Sequence, residues 1–135
     1  MNRWLIKSDP DEYSATDLAN DGTAVWDGIS NALAQKHLSA MAVGDELLIY
    51  HTGEQKAVVA QARVIGGARP DPMDRTGKLR VVDIEFAGWL ARAVPLSEIK
   101  KDAALADLEL VRISRLSVMP VRPAHWSRIL RLSRG

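Results

Sequence analysis

"ELLIYHT", residues 46–52, and "KAVVAQARVIG", residues 56–66, are two apolar runs joined across Gly53-Glu54. Both are short and rich in branched aliphatic residues, and the second alternates from Val58 onward. Such runs, broken after a few residues by glycine, predict two strands of a hairpin. This pair decides the fold, because the chain before it has a different period. "SNALAQKHLSAM" (30–41) sets Leu33, Ala34, His37, Leu38 and Met41 at helical spacing, with Ser30 as the expected start, and "AVGD" (42–45) predicts a turn. "SATDLAND" (14–21) predicts a short helix capped by Ser14 and ending near Gly22. Before it, "RWLIK" (3–7) predicts a strand closed by Ser8-Asp9-Pro10, with Trp4 in the core.

After the hairpin, "RPDPMDRTGK" (69–78) reads as a loop and "LRVVDIEFAGWL" (79–90) as a third long strand. "PLSEIKKD" (95–102) reads as a helical turn capped by Ser97. "LVRISRLSVMPV" (110–121) predicts a strand with Arg115 and Ser117 on one side, and "RPAHWSRILRL" (122–132) a helix begun by Pro123. Strands and helices do not alternate, which argues against a doubly wound parallel sheet. The expected class is α+β: a curled or pseudo-barrel, mostly antiparallel sheet with flanking helices. No repeat, low-complexity tract or linker interrupts it, so residues 1–135 are expected to form a single domain.

The 135 residues are 47% hydrophobic and 26% charged, enough for one sizeable core. No apolar run approaches the roughly 18 residues a membrane span needs, and the N-terminus makes a poor signal peptide, turning acidic after a short apolar run. The absence of cysteine excludes disulfides, thiolate metal sites and cysteine nucleophiles, and a cytoplasmic location is expected. The net charge of +1 conceals an asymmetry. Residues 112–135 hold six arginines and no acid, giving +6, and the other 12 basic and 17 acidic residues give −5. Such a segment either attracts a polyanion or pairs with the acidic remainder.

Phosphate-loop, dinucleotide-binding and nucleophile-elbow motifs are all missing. His37, His51 and His125 stand apart, with His37 expected on or under a helix and His125 at the surface. The cluster Asp9, Asp11 and Glu12 beside Pro10 reads as a solvated turn, so neither metal nor cofactor is expected. What remains is "VWDGISN" (25–31), which places Trp26 on the lip of the Asp27-Gly28 turn, and polar residues at strand ends: Lys7-Ser8 and Tyr50-His51-Thr52. Trp26 there is either a core residue or a wall for stacking. Aromatic and small polar groups together suit a flat, polar, aromatic ligand such as an unstacked base.

Several stretches, in order, resemble one family. "WLIKSDPDEYSATDL" is similar to the opening of EVE domains, "VWDGISN" to their Val-Trp-Asp-Gly-Val/Ile-x-Asn, and "AMAVGDELLIYHT" to their Met-x-x-Gly-Asp and apolar strand. "LVRISRLSVMPV" resembles their Arg-x-Ser-Arg-Leu-Ser-Val-x-Pro-Val signature and "HWSRIL" their closing helix. The resemblance runs from Arg3 to Leu132 and implies a PUA-like fold related to YTH domains, which hold a methylated adenine in an aromatic pocket. It implies binding of a modified base in DNA or RNA by base flipping into an aromatic-walled pocket, without catalysis, by a chain expected to be a monomer. Carried onto matching positions, that pocket comprises Lys7, Ser8, Trp26, Asn31, Tyr50 and His51, with Arg115, Leu116 and Ser117 near it. Arg112, Arg122 and Lys36 are expected to contact phosphates. The chain departs from the commoner pattern around Asn31: Ser30 and Ala32-Leu33-Ala34-Gln35 replace a basic and aromatic surface with a small, apolar one. Two rivals stand beside the reader. One is a hydrolase of modified nucleosides, with Lys7 and either Asp9 or Asp27. The other is a protein-interaction module with a vestigial pocket.

Overall fold

The hairpin at the centre of the sequence is the centre of the sheet. In the computed structural model, which describes Met1–Gly135, β3 (Glu46–His51) pairs antiparallel with β4 (Ala57–Pro70), and β4 with β5 (Arg80–Pro95). β1 (Arg3–Ser8) lies parallel to β3, and β6 (Val118–Pro120) lies antiparallel to β1 on the far side. β2 (Thr23–Trp26) pairs antiparallel with β5. The result is a six-stranded, mostly antiparallel sheet, ordered β2-β5-β4-β3-β1-β6, that is not closed. Both edges are short strands, which limits the unpaired backbone exposed there.

The register of β4 with β3 and β5 slips at several places, including Ile49/Tyr50, Val64/Gly66 and Gly66/Arg69. Each slip bends and twists its strand, and together they curl the sheet. Gly66 sits at two of them: a Cβ there would lie 2.5 Å from Oδ2 of Asp83, the carboxylate that holds Arg69 through two 3.1 Å hydrogen bonds.

The helices pack against this sheet: α1 (Ala15–Asp21), α2 (Ala32–Ser39), α3 (Leu96–Lys101), α4 (Glu109–Arg112) and α5 (Pro123–Arg134). Ser14 caps α1 with a full capping box: its hydroxyl accepts from the Asp17 amide, and the Asp17 carboxylate accepts from the Ser14 amide. Pro123 opens α5, which buries Trp126 and Ile129. Thirty-four buried residues form one contiguous core, from Trp4 to Ile129. Within it Asp45, the end of the expected turn, accepts from the Trp4 indole at 2.9 Å and from the Asn2 and Ala42 amides at 3.0 Å.

The local elements differ from the sequence reading at five places. Trp26 does not sit on a turn: it ends edge strand β2, a run of four residues too short to show a period. α2 is capped one residue later than expected, by Asn31, whose side chain accepts from the Ala34 amide. Ser97 lies inside α3, with Pro95 at its N-cap. The strand expected over 110–121 exists only at Val118–Pro120, so Arg115 and Ser117 do not share a strand face. The preceding residues close α4 and a turn, through Ile113 N–H to Glu109 at 2.7 Å and Leu116 N–H to Ile113 at 3.1 Å, because leucines 105, 108, 110 and 116 all have to reach the core. His125 is buried, not at the surface, and its Nε2 meets Asp107 at 2.9 Å.

The arginine-rich segment is divided. Arg112 pairs with Glu109, Arg122 with Asp107 and Arg128 with Asp102, whereas Arg115, Arg131 and Arg134 have no carboxylate partner. No helix is long and apolar enough to cross a membrane.

Candidate functional site

The parallel pairing of β1 and β3 sets two strand ends side by side. Lys7 lies in register with Tyr50 and Ser8 with His51, and the Thr52 amide donates to Ser8 O at 3.0 Å. The Lys7 amide donates to Ser117 O at 2.9 Å, which brings the turn before β6 to the same place. Five of the expected residues therefore meet at one end of the sheet.

The chain then folds back over that end. Ser8 Oγ donates to the Tyr13 carbonyl, and the Glu12 and Tyr13 amides donate to Asp9 O at 3.0 and 2.9 Å. This turn presents the Tyr13 ring edge-on to Trp26, with centroids 6.2 Å apart and planes at 71°. Because the sheet curls, β2 at one edge approaches the end of β1, and an open cleft of about 370 Å³ lies between them. Ligand pockets typically begin near this size. Trp26 is only 7% exposed, yet it borders the cleft with Tyr13 and Ile29. The polar lining is Lys7, Ser8, Asp9, Glu12 and Asp27.

The titrating groups have clear assignments. The Tyr13 hydroxyl donates to Asp21 at 2.8 Å, and burial together with that carboxylate pushes its pKa up to about 12, so the ring faces the cleft neutral. Lys7 is half-buried. Its ammonium donates to Ser114 O at 2.8 Å and lies 5.6 Å from the centre of the Tyr50 ring, and burial lowers its pKa. His51 has an architectural place: Nε2 accepts from the Ala15 amide at 2.9 Å and Nδ1 donates to Gln55 at 2.7 Å.

A family model described as the EVE domain matches residues 2–132. The chain belongs to the EVE domain family. Thymocyte nuclear protein 1 of Mus musculus is 29% identical to it over 165 residues, covering 97% of this chain and 73% of the mouse protein. The solution structure of a Rhodopseudomonas palustris protein is 36% identical, with a TM-score of 0.95 over 99% of this chain and 94% of that one. Human THYN1 in complex with DNA containing 5-methylcytosine is 25% identical, with a TM-score of 0.92 over 100% of this chain and 99% of that one. The PUA-like architecture expected from the resemblance is thus shared with solved EVE domains.

In this EVE domain the cleft gathers Lys7, Ser8 and Trp26 of the residues expected in the pocket. Tyr50 borders a second cavity, on the other side of Lys7. Asn31 caps α2 from an exposed position outside the cleft, and Leu116 is buried in the core. Arg115 is exposed and unpaired, Arg112 and Arg122 are held by carboxylates, and Lys36 lies exposed on α2. Tyr13 is the wall that the sequence reading missed. Its signal was its position: an aromatic residue immediately before a capping box is where a hydrophobic staple starts.

Proposed function

We propose that this EVE domain reads a modified nucleobase in nucleic acid, admitting the base, extruded from its stack, into the cleft bordered by Trp26 and Tyr13. The observation that carries this reading is an open cleft with two aromatic walls and a rim of both hydrogen-bond signs. Stacking on an aromatic ring contributes about 1–3 kcal/mol per base, enough to offset much of the cost of extrusion, itself a few kcal/mol. Asp27 or Glu12 accepts from an exocyclic amine, as carboxylates do at N4 of cytosine. The ligand class is therefore an amine-bearing base, and the DNA complex of human THYN1 supports methylated cytosine as the first probe. Selectivity comes from filled space: one methyl adds about 0.8 kcal/mol, or roughly fourfold in affinity.

The test is fluorescence anisotropy with single-stranded DNA carrying one 5-methylcytosine, against the unmodified strand. The wild type should prefer the methylated strand about fourfold. Tyr13→Ala and a folded Trp26→Phe should both weaken binding and narrow the preference. Equal binding of both strands by the wild type refutes the reading. The presence of Lys7, Asp9 and Asp27 around the same cleft favours a second reading, hydrolysis of a modified nucleoside. A product of altered mass after incubation with modified nucleosides would replace the reader with that enzyme.

A further inference from the structure

We propose that the cavity bounded by Lys7, Lys56 and Lys100 is a phosphate site, and that it receives the phosphodiester beside the extruded base. This rests on the base reading above and adds to it a place for the backbone. The two cavities share Lys7 and have opposite character. The cleft beside Trp26 carries three carboxylates, which repel phosphate, whereas the second cavity, about 310 Å³, has three lysines, the side chains of Thr52 and Ser114, and no carboxylate.

The lysines are uncompensated. Arg3, Arg63, Arg69, Arg92, Arg112, Arg122 and Arg128 all form ion pairs, and none of these three lysines does. Lys7 in particular is half-buried against a carbonyl and a ring, both neutral, so desolvation of its charge is met by no counter-ion within the protein. The other two belong to segments joined through the backbone. Lys56 has φ 46°, the one non-glycine residue of the chain with a positive φ. Strain of this kind persists where the surroundings enforce it and collects at binding sites. Its carbonyl accepts from the Leu96 amide at 2.7 Å, which ties it to α3, the helix that carries Lys100. Lysines from β1, the β3–β4 connection and α3 thus border one hollow.

The test uses the full chain with Lys56→Asn and Lys100→Gln combined. Both side chains are exposed, and asparagine tolerates the left-handed backbone. Binding of the methylated strand is followed from about 50 to about 200 mM salt. The expected result is affinity weakened about tenfold at low salt, a slope of log affinity against log salt reduced by about 1, and an unchanged methylated-to-unmodified ratio. Lys78→Gln, which is outside the cavity, should keep the wild-type slope. A double variant with wild-type affinity and slope overturns the phosphate site and leaves the base reading intact. A reduced slope in a protein that never distinguishes the two strands supports the phosphate site and removes the base reading.

Discussion

The imidazole of His51 accepts the backbone proton of Ala15 across 2.9 Å, joining the end of β3 to the first turn of α1. An amide at a helix start has no partner of its own, and this one is buried. His51→Ala should cost about 1–3 kcal/mol by orphaning it. Urea denaturation followed by circular dichroism measures that loss. Ligand affinity should fall with it, because the same turn holds Tyr13 in place.

Both tyrosines resist ionisation. Burial raises Tyr50, and burial with the Asp21 hydrogen bond raises Tyr13 to about 12. Absorbance of the native protein should therefore show little tyrosinate at pH 10, where an unfolded tyrosine is half ionised. Asp21→Asn should bring the Tyr13 transition down. The folded values lie above the unfolded one, so this contribution to stability is complete below about pH 10 and is lost as pH rises toward the folded values.

Asp45 predicts the acid side. Burial pushes its carboxyl up, but the hydrogen bonds from the Trp4 indole and the Ala42 and Asn2 amides outweigh it, and the pKa falls below the usual value. Its contribution is present above about pH 4 and disappears as pH drops through the folded value. Asp45→Ala should cost about 3 kcal/mol. It should also flatten the pH dependence of the melting temperature on the acid side, where the wild type loses stability.

Gly66 and Asp83 are coupled by space. In Gly66→Ala, the new methyl has to displace the Asp83 carboxylate from Arg69, at a cost of about 1–3 kcal/mol. A double-mutant cycle with Asp83→Ala should show a coupling of at least about 0.5 kcal/mol, because the second change removes the carboxyl oxygen at 2.5 Å and leaves only the Cβ contact at 2.9 Å.

Much of this molecule could be read from its residues, and the failures share a cause. The long strands and α5 carry periods that burial on one side imposes, so they announce themselves. Trp26 was misplaced because β2 is four residues at an edge, framed by Gly22 and the Asp27-Gly28 pair that look like loop. Residues 110–117 contain branched residues at strand-like intervals, but tertiary packing of Leu110 and Leu116 overrides that preference. Residue type and position at strand ends single out Lys7, Ser8 and Trp26, and the three line one cleft. Tyr13 joins them only through the Ser8 hydrogen bond and the curl of the sheet, and neither is local. The ion pairs of Arg112 with Glu109 and Arg122 with Asp107 are also illegible in the sequence, which shows charges without their partners.

β1 lies between β3 and β6, with hydrogen bonds to both. Within this domain the first strand made must therefore wait for the last. Until Val118–Pro120 emerges, one edge of β1 is bare and the turn that carries Ser114 and Ser117 has nothing to fasten it. The end of the sheet that borders the cleft thus assembles late in synthesis, and a nascent chain stalled before β6 has the lining residues without the contacts that fix them.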